Sequence, residues 1–256
     1  MSKKSRLDQL LISLGLAADL REAQALIMSG SVIVDEHRID KSSALVSLDA
    51  NIRVKGKGHA YVSRGGLKLE HAIKTFGGGL IKDVVAIDVG ASTGGFTEVL
   101  LQNGAKTVYA IDVGYGQLAE KLRQDPRVIS MERTHILDIK ASIFKELPSI
   151  AVIDVSFISL ERVLPHVISL LAKDARIYAL VKPQFEVEPK FVHGGIVKDE
   201  GVRALAVEKI VNLAKSLGLH LLGVEKSPIL GAKGNQEFLL ALEKTDAMTI
   251  RHIKKS

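Results

Sequence analysis

Cysteine is absent from all 256 residues of the sequence, and that absence removes three classes of chemistry at once. No disulfide framework, thiolate metal site or thiol nucleophile can be built from this chain. A chain without cysteine suits a reducing compartment, so a cytoplasmic location is expected. Long apolar runs are missing too: none approaches the ~18 residues that a membrane-spanning helix requires. The stretch MSKKSRLDQLLISLGLAADL begins with positive charge and then mixes apolar with polar residues. It lacks the unbroken apolar segment and small-residue cleavage site of a secretory signal, and it reads as a helix. No His/carboxylate cluster has metal-ligand spacing, so no metal is expected. Internal repeats and low-complexity tracts are also absent. The length accommodates two domains, which bury roughly 70–75% of the unfolded surface without any staple.

What charge there is lies unevenly. The net value is +6, and residues 1–68 hold 11 Lys/Arg against 7 Asp/Glu, leaving 24 against 22 for the other 188. A basic front quarter suits an anionic partner such as nucleic acid, although lysines that only confer solubility give the same tally. Leu7, Leu10, Leu11 and Leu14 share one face of a short helix. In DLREAQALIMSG, Asp19 is placed to cap a second helix, Glu22 occupies the capping-box position and Gly30 ends it. The following SVIVDEHRIDKSSALVSLDANIRV is rich in β-branched residues and broken by polar turns, predicting a set of short strands. Residues 1–60 therefore form a small basic α+β domain. The glycine- and charge-rich KGKGHAYVSRGG, about 55–66, reads as a linker into a second domain over 61–256.

That second domain alternates helix and buried strand. Helices are predicted at 65–76, 95–103, 159–172 and 201–217. Strands are predicted at 84–89, 106–112, 127–131, 150–154, 175–182, 219–225 and 237–243. SIAVIDV and RIYALV are apolar throughout, as strands covered on both faces are. The pattern predicts a doubly wound α/β sheet of Rossmann type, with ligands at the carboxyl ends of its strands. Residues 183–200, PQFEVEPKFVHGGIVKDE, form a long polar insertion of the kind that carries function.

The turn DVGASTGGF, residues 88–96, admits three chemistries. A dinucleotide fingerprint needs a second glycine where this chain has Ser92, whose side chain would obstruct a pyrophosphate. Gly90-Ala-Ser92-Thr-Gly94 matches the G-x-S-x-G nucleophile elbow. However, the turn follows the first strand of its domain, and no HGGG-type oxyanion segment precedes it. A methyl-donor pocket fits best. Asp88 ends the first strand, Gly90, Gly94 and Gly95 let the chain pass close to a ligand, and Asp112 ends the next strand, where a carboxylate can accept both hydroxyls of a ribose. S-adenosylmethionine has both an amino-acid tail and a ribose.

At this point the chain resembles a known group. SRGGLKLEHAI, DVGASTGGFTEVLLQNGA, VIDVSFISL, LVKPQFE and GNQEFLL are similar to segments of the TlyA family, often labelled haemolysin A. Its methyltransferase domain is similar to FtsJ-type ribose 2′-O-methyltransferases, and its front module resembles the RNA-binding fold named after ribosomal protein S-four. The resemblance implies a mostly parallel sheet with an antiparallel last strand, and a catalytic tetrad of Lys68, Asp154, Lys182 and Glu237. It implies cofactor contacts from Asp88, Gly90, Ala91, Ser92, Thr93, Gly94, Gly95, Phe96, Asp112, Thr134 and His135. RNA contacts are expected from Lys3, Lys4, Arg6, Arg21 and Arg64. The family usually shows asparagine in ERTN where this chain has His135, which can still make one hydrogen bond.

The expected activity is S-adenosylmethionine-dependent 2′-O-methylation of ribose, of cytidine in 16S and/or 23S ribosomal RNA, with ribosomal RNA or ribosomal subunits as partners. A ribose hydroxyl is a poor nucleophile, so a base must take its proton, and Lys182 is the candidate. Cytosine-C5 methylation commonly needs a cysteine. Exocyclic-amine methylation typically uses N/D-P-P-F/Y, where this chain reads DVSF and Phe157 is expected to pack. Two rivals remain at this stage, a membrane-active haemolysin and an inactive RNA-binding assembly factor.

Overall fold

The computed structural model describes residues 4–35, 37–48, 50, 52–54, 61–77 and 81–245. The front part of the chain runs β1 (Lys4–Arg6), α1 (Leu7–Ser13), α2 (Leu20–Met28), β2 (Val32–Val34), β3 (His37–Arg38), β4 (Leu45–Ser47) and β5 (Ile52–Val54). β1 pairs antiparallel with β4, and a separate three-stranded sheet has the order β3-β2-β5. The leucine stripe works as its spacing predicts: Leu7, Leu10 and Leu11 are buried together with Ala23, Ile27 and Val32 in one cluster. Asp19 caps α2 by accepting from the Glu22 N–H at 2.8 Å. Glu22 in turn reaches back to the Ala18 N–H at 2.6 Å, a capping box extended by one residue.

The second domain runs α3 (Gly65–Phe76), β6 (Val85–Val89), α4 (Gly95–Gln102), β7 (Thr107–Ile111), α5 (Glu120–Arg123), β8 (Val128–Met131), β9 (Ile150–Ile153), α6 (Leu160–Leu170), β10 (Ala175–Val181), α7 (Pro183–Glu186), α8 (Glu200–Ser216), β11 (His220–Lys226) and β12 (Phe238–Lys244). Its seven strands lie in the order β11-β12-β10-β9-β6-β7-β8. All neighbours are parallel except β12, which runs antiparallel to both β10 and β11. Successive residues of β9 serve opposite faces. Ala151 and Ile153 join one apolar cluster, Ile150 and Val152 the other, and all four are fully buried. That two-sided burial is the reason the strand reads as an uninterrupted apolar run.

Chain order reverses between β6 and β9, since the chain leaves β6 toward β7 on one side and returns to β9 on the other. Adjacent loops diverge at such a switch point, and a crevice opens at the carboxyl ends of the strands. Gly90 stands on one side of this crevice and Asp154 on the other.

Part of the stretch that composition marks as linker is built into this domain. Tyr61 is buried in the cluster that also holds Leu69, Phe96 and Leu100, and Gly65 and Gly66 begin α3. Residues 55–60 lie outside the described residues. The polar insertion after Lys182 is likewise ordered: it opens as α7, makes a 3-10 turn at Pro189–Phe191 and closes with a bridge between His193 and Ile196. Among the described residues no helix is long and apolar enough to cross a membrane.

Candidate active site

β6 delivers Asp88 and then the glycine turn. Gly90 has φ +87°, and a Cβ there would stand 2.5 Å from the Asp154 carbonyl oxygen. Only glycine lets the two strand ends approach this closely. Ser92 also takes the left-handed conformation, φ +47°. Its N–H donates to Asp112 Oδ2 at 2.8 Å, and its hydroxyl donates to Gln117 at 3.2 Å. Asp112 Oδ1 accepts from the Gly114 N–H at 2.6 Å. Asp112 thus does more than the spacing predicts: it ties the glycine turn to the next strand's loop, while each oxygen keeps a lone pair for a ligand hydroxyl.

Asp88 is fully buried beneath the turn and lines neither adjoining cavity. Its Oδ2 accepts from the Thr97 hydroxyl at 2.7 Å, and its Oδ1 has no partner. Burial pushes this carboxyl up to about 7, with Thr97 opposing and Asp154 and Asp112 adding to the rise.

The four tetrad residues come together as two ion pairs. Lys68, on α3, pairs with Glu237 Oε2 at 2.6 Å. Lys182, at the end of β10, pairs with Asp154 Oδ1 at 2.6 Å and donates to the Ser156 hydroxyl at 2.9 Å. Lys68, Lys182 and Glu237 are buried, so each charge depends on its partner. Burial would raise the Asp154 carboxyl, but the ammonium groups of Lys68 and Lys182 outweigh it and hold it below the usual aspartate range. A Cβ at Gly231 would collide with the Glu237 carboxylate and push it from its place.

Two cavities flank this cluster. The larger, about 500 Å³, is lined by Gly90, Ile111, Asp112, Thr134, His135 and Phe157 among others. An apolar floor with a few polar groups at the rim suits a nucleoside. His135 Nδ1 accepts from the Leu137 N–H at 3.2 Å, which leaves Nε2 as the ring's donor. The smaller, about 250 Å³, is lined by Arg64, Lys68, Ala91, Thr93, Phe96 and Asp154 among others. Gly95 joins them, whereas Gly94 is packed against Leu118 and Leu122, away from both cavities. These residues fit S-adenosylmethionine: the larger cavity would take its adenosine, and the orphaned Asp88 oxygen beneath the turn would be reached from a ligand amine only through water.

Phe157 is a correction. Expected to pack, it is 91% exposed, with φ +64° and its ring 5.1 Å from that of Phe185. Sequence reasoning also missed Ser156 and Glu98. Glu98 is buried behind the glycine turn, where it accepts from the Val62 N–H at 2.5 Å and pairs with Lys121 at 2.6 Å. It thereby fixes the entry into α3 against α4.

Of the RNA candidates, Lys4 and Arg21 are exposed in the front part of the chain and Lys3 lies outside the described residues. Arg6 is engaged in a two-point pair with the buried Asp8, at 3.0 and 2.6 Å. Arg64 stands apart from them at the smaller cavity, where burial pulls its guanidinium below its usual value and Glu237 opposes. Among the described residues no group of three or more His, Asp or Glu side chains could hold a metal.

A doubly wound sheet that carries a nucleoside cavity at its switch point, with lysine–carboxylate pairs beside it, defines a methyltransferase of Rossmann type. Residues 61–244 match the family described as FtsJ-like methyltransferase. A Bacillus subtilis protein named "Putative rRNA methyltransferase YqxC" is 49% identical over 94% of this chain and 86% of its own length. The Mycobacterium tuberculosis "16S/23S rRNA (cytidine-2'-O)-methyltransferase TlyA" is 43% identical over 94% and 91%. A solved structure from Streptococcus thermophilus, "Putative hemolysin", superposes with a TM-score of 0.76 at 43% identity, covering 96% of this chain and 90% of that one. The chain belongs to the TlyA group of FtsJ-like methyltransferases.

Proposed function

We propose that this protein is a cytoplasmic enzyme that methylates the 2′-hydroxyl of a cytidine ribose in ribosomal RNA. The observation that carries the reading is the pair of buried lysine–carboxylate contacts meeting beside the glycine-turn cavity. A lysine at the end of β10, aimed by Asp154 and Ser156 beside a cavity shaped for a nucleoside donor, is placed to take a hydroxyl proton when it is in its amine form. The naming of the Mycobacterium tuberculosis relative supports the acceptor.

S-adenosylmethionine supplies the sulfonium methyl group. The chain's own residues do the rest. Lys182, in its amine form, takes the 2′-hydroxyl proton as the oxygen attacks, and Asp154 and Ser156 aim that amine. Lys68, held by Glu237, keeps positive charge beside Asp154 and the developing alkoxide. The exposed Phe157 ring offers a face on which a base turned out of its stack can rest, a contact worth about 1–3 kcal/mol. Lys3, Lys4, Arg6 and Arg21, in the front part of the chain, supply phosphate contacts.

The test is transfer of tritiated methyl from S-adenosylmethionine to ribosomal subunits, followed by alkaline hydrolysis. Methyl on the 2′-oxygen blocks cleavage at that nucleotide and leaves labelled dinucleotides. Label recovered only in mononucleotide bases would refute the reading.

A further inference from the structure

Glu186 takes no part in the proton transfer above, yet it is a carboxylic acid only 5% exposed. It is the last residue of α7, four positions after Lys182. Its two oxygens reach back to the start of α6: Oε1 accepts from the Leu160 N–H at 2.9 Å and Oε2 from the Ser159 hydroxyl at 2.5 Å. Ser159 itself caps α6 by accepting from the Glu161 N–H at 3.0 Å. Glu186 therefore completes the cap of a helix 26 residues earlier in the chain, using N–H and O–H groups that burial would otherwise leave unsatisfied. Lys209 of α8 fastens the same corner from behind. It donates to the Glu186 carbonyl oxygen at 2.8 Å and pairs with Glu161 at 2.5 Å.

Between β9 and this cap lies the loop 154–159, which carries Asp154, Ser156 and Phe157. Ser156 is bonded to Lys182 Nζ, and Phe157 sits in the left-handed region at φ +64° with its ring on Phe185 of α7. A non-glycine residue keeps such a conformation only where its surroundings over-determine it. The loop is held at one end by β9 and in the middle by Lys182 and Phe185. Glu186 holds its far end.

We propose that Glu186 is a positioning residue for methyl transfer: by clamping the start of α6 onto α7, it keeps the Lys182 amine, Ser156 and the Phe157 ring in one register facing the acceptor nucleotide. This rests on the ribose-methylation reading for the acceptor, while the clamp itself rests on the hydrogen bonds alone.

Three variants test it, Glu186→Ala, Glu186→Gln and Ser159→Ala, each followed by single-turnover methyl transfer to ribosomal RNA, S-adenosylmethionine calorimetry and thermal unfolding. Glu186→Ala lowers the transfer rate by about 10- to 100-fold, the scale set by misplacing reacting groups by an ångström, and leaves cofactor affinity unchanged. Glu186→Gln keeps an acceptor for Leu160 and a partner for Ser159, and restores most of the rate. Ser159→Ala falls between, and decides the matter if Glu186→Ala does not fold.

The chain has no tryptophan, so Phe157→Trp introduces a single reporter on the loop itself. In that background Glu186→Ala lowers the fluorescence anisotropy and Glu186→Gln does not. Wild-type transfer rates in Glu186→Ala or Ser159→Ala, or an unchanged anisotropy, overturn the proposal. Wild-type protein that transfers nothing to RNA while the anisotropy still drops overturns the acceptor reading and upholds the clamp.

Discussion

Replacing Asp88 by asparagine isolates a fully buried carboxyl at the candidate site. Asp88 has one oxygen bonded to Thr97 and the other without a partner, and burial lifts its pKa from 3.8 to about 7. In the folded protein the acid form is favoured up to about pH 7, while the unfolded chain ionises near 3.8. The contribution of Asp88 to stability is therefore complete below about pH 4. It is lost as pH rises through 7 and stays lost above that. Each pH unit in this window is worth about 1.4 kcal/mol, so ionised Asp88 costs the ligand-free protein about 4 kcal/mol relative to its protonated form. Asparagine keeps an acceptor for the Thr97 hydroxyl and does not titrate. The asparagine amide donors lack a partner at every pH, a constant cost, so the stability of Asp88→Asn relative to the wild type should rise by about 4 kcal/mol between pH 4 and pH 8. All other groups titrate in both proteins and cancel in the difference. Urea unfolding followed by far-UV circular dichroism, at pH steps from 4 to 8, reads this directly. A stability difference that stays flat across the window would refute the argument.

Three further outcomes follow from the site. Lys182→Ala strips Asp154 of its ion-pair partner, so it should lower stability while leaving cofactor affinity nearly intact and slowing single-turnover transfer by about 10²–10⁴-fold. Lys182→Arg should not rescue it, because a guanidinium stays protonated, and a fast arginine enzyme would end the base assignment. Asp112→Ala removes the acceptor of the Ser92 and Gly114 N–H groups as well as the carboxylate proposed to meet the ribose. It should weaken S-adenosylmethionine binding by about 1–3 kcal/mol in calorimetry, and unchanged affinity would remove Asp112 from the cofactor site. Exchanging Lys4 and Arg21 for alanine should flatten the salt dependence of RNA binding by about 0.9 per lost phosphate contact, and an unchanged slope would move the grip elsewhere.

The alternation of helix and strand was legible because each strand of the central sheet is covered on both faces or pairs with one that is. Ile150–Ile153 and Ala175–Val181 announce themselves as apolar runs, and their predicted bounds lie within a residue of those observed. The three-residue β1 was not legible, since a strand that short has no period and owes its existence to β4, some forty residues later. The same limit explains the site. Asp88, Asp112, Asp154 and Lys182 stand at strand ends, where position alone flags them. Glu98 and Glu186 sit in helices, where a carboxylate normally faces water. Their burial depends on partners 36 and 26 residues away, which no local pattern encodes. Phe157 shows the reverse error: without the prolines of an N/D-P-P-F/Y motif it reads as a packing residue, yet it stands exposed at a left-handed turn.

The central claim is that this chain places a methyl group on a ribose 2′-oxygen of ribosomal RNA. Its most direct test maps 2′-O-methyl marks across 16S and 23S RNA from cells that carry the gene, cells that lack it, and cells complemented with the Lys182→Ala form. The account predicts at least one cytidine mark present in the first, absent from the second and not restored in the third. Identical maps from all three would contradict it.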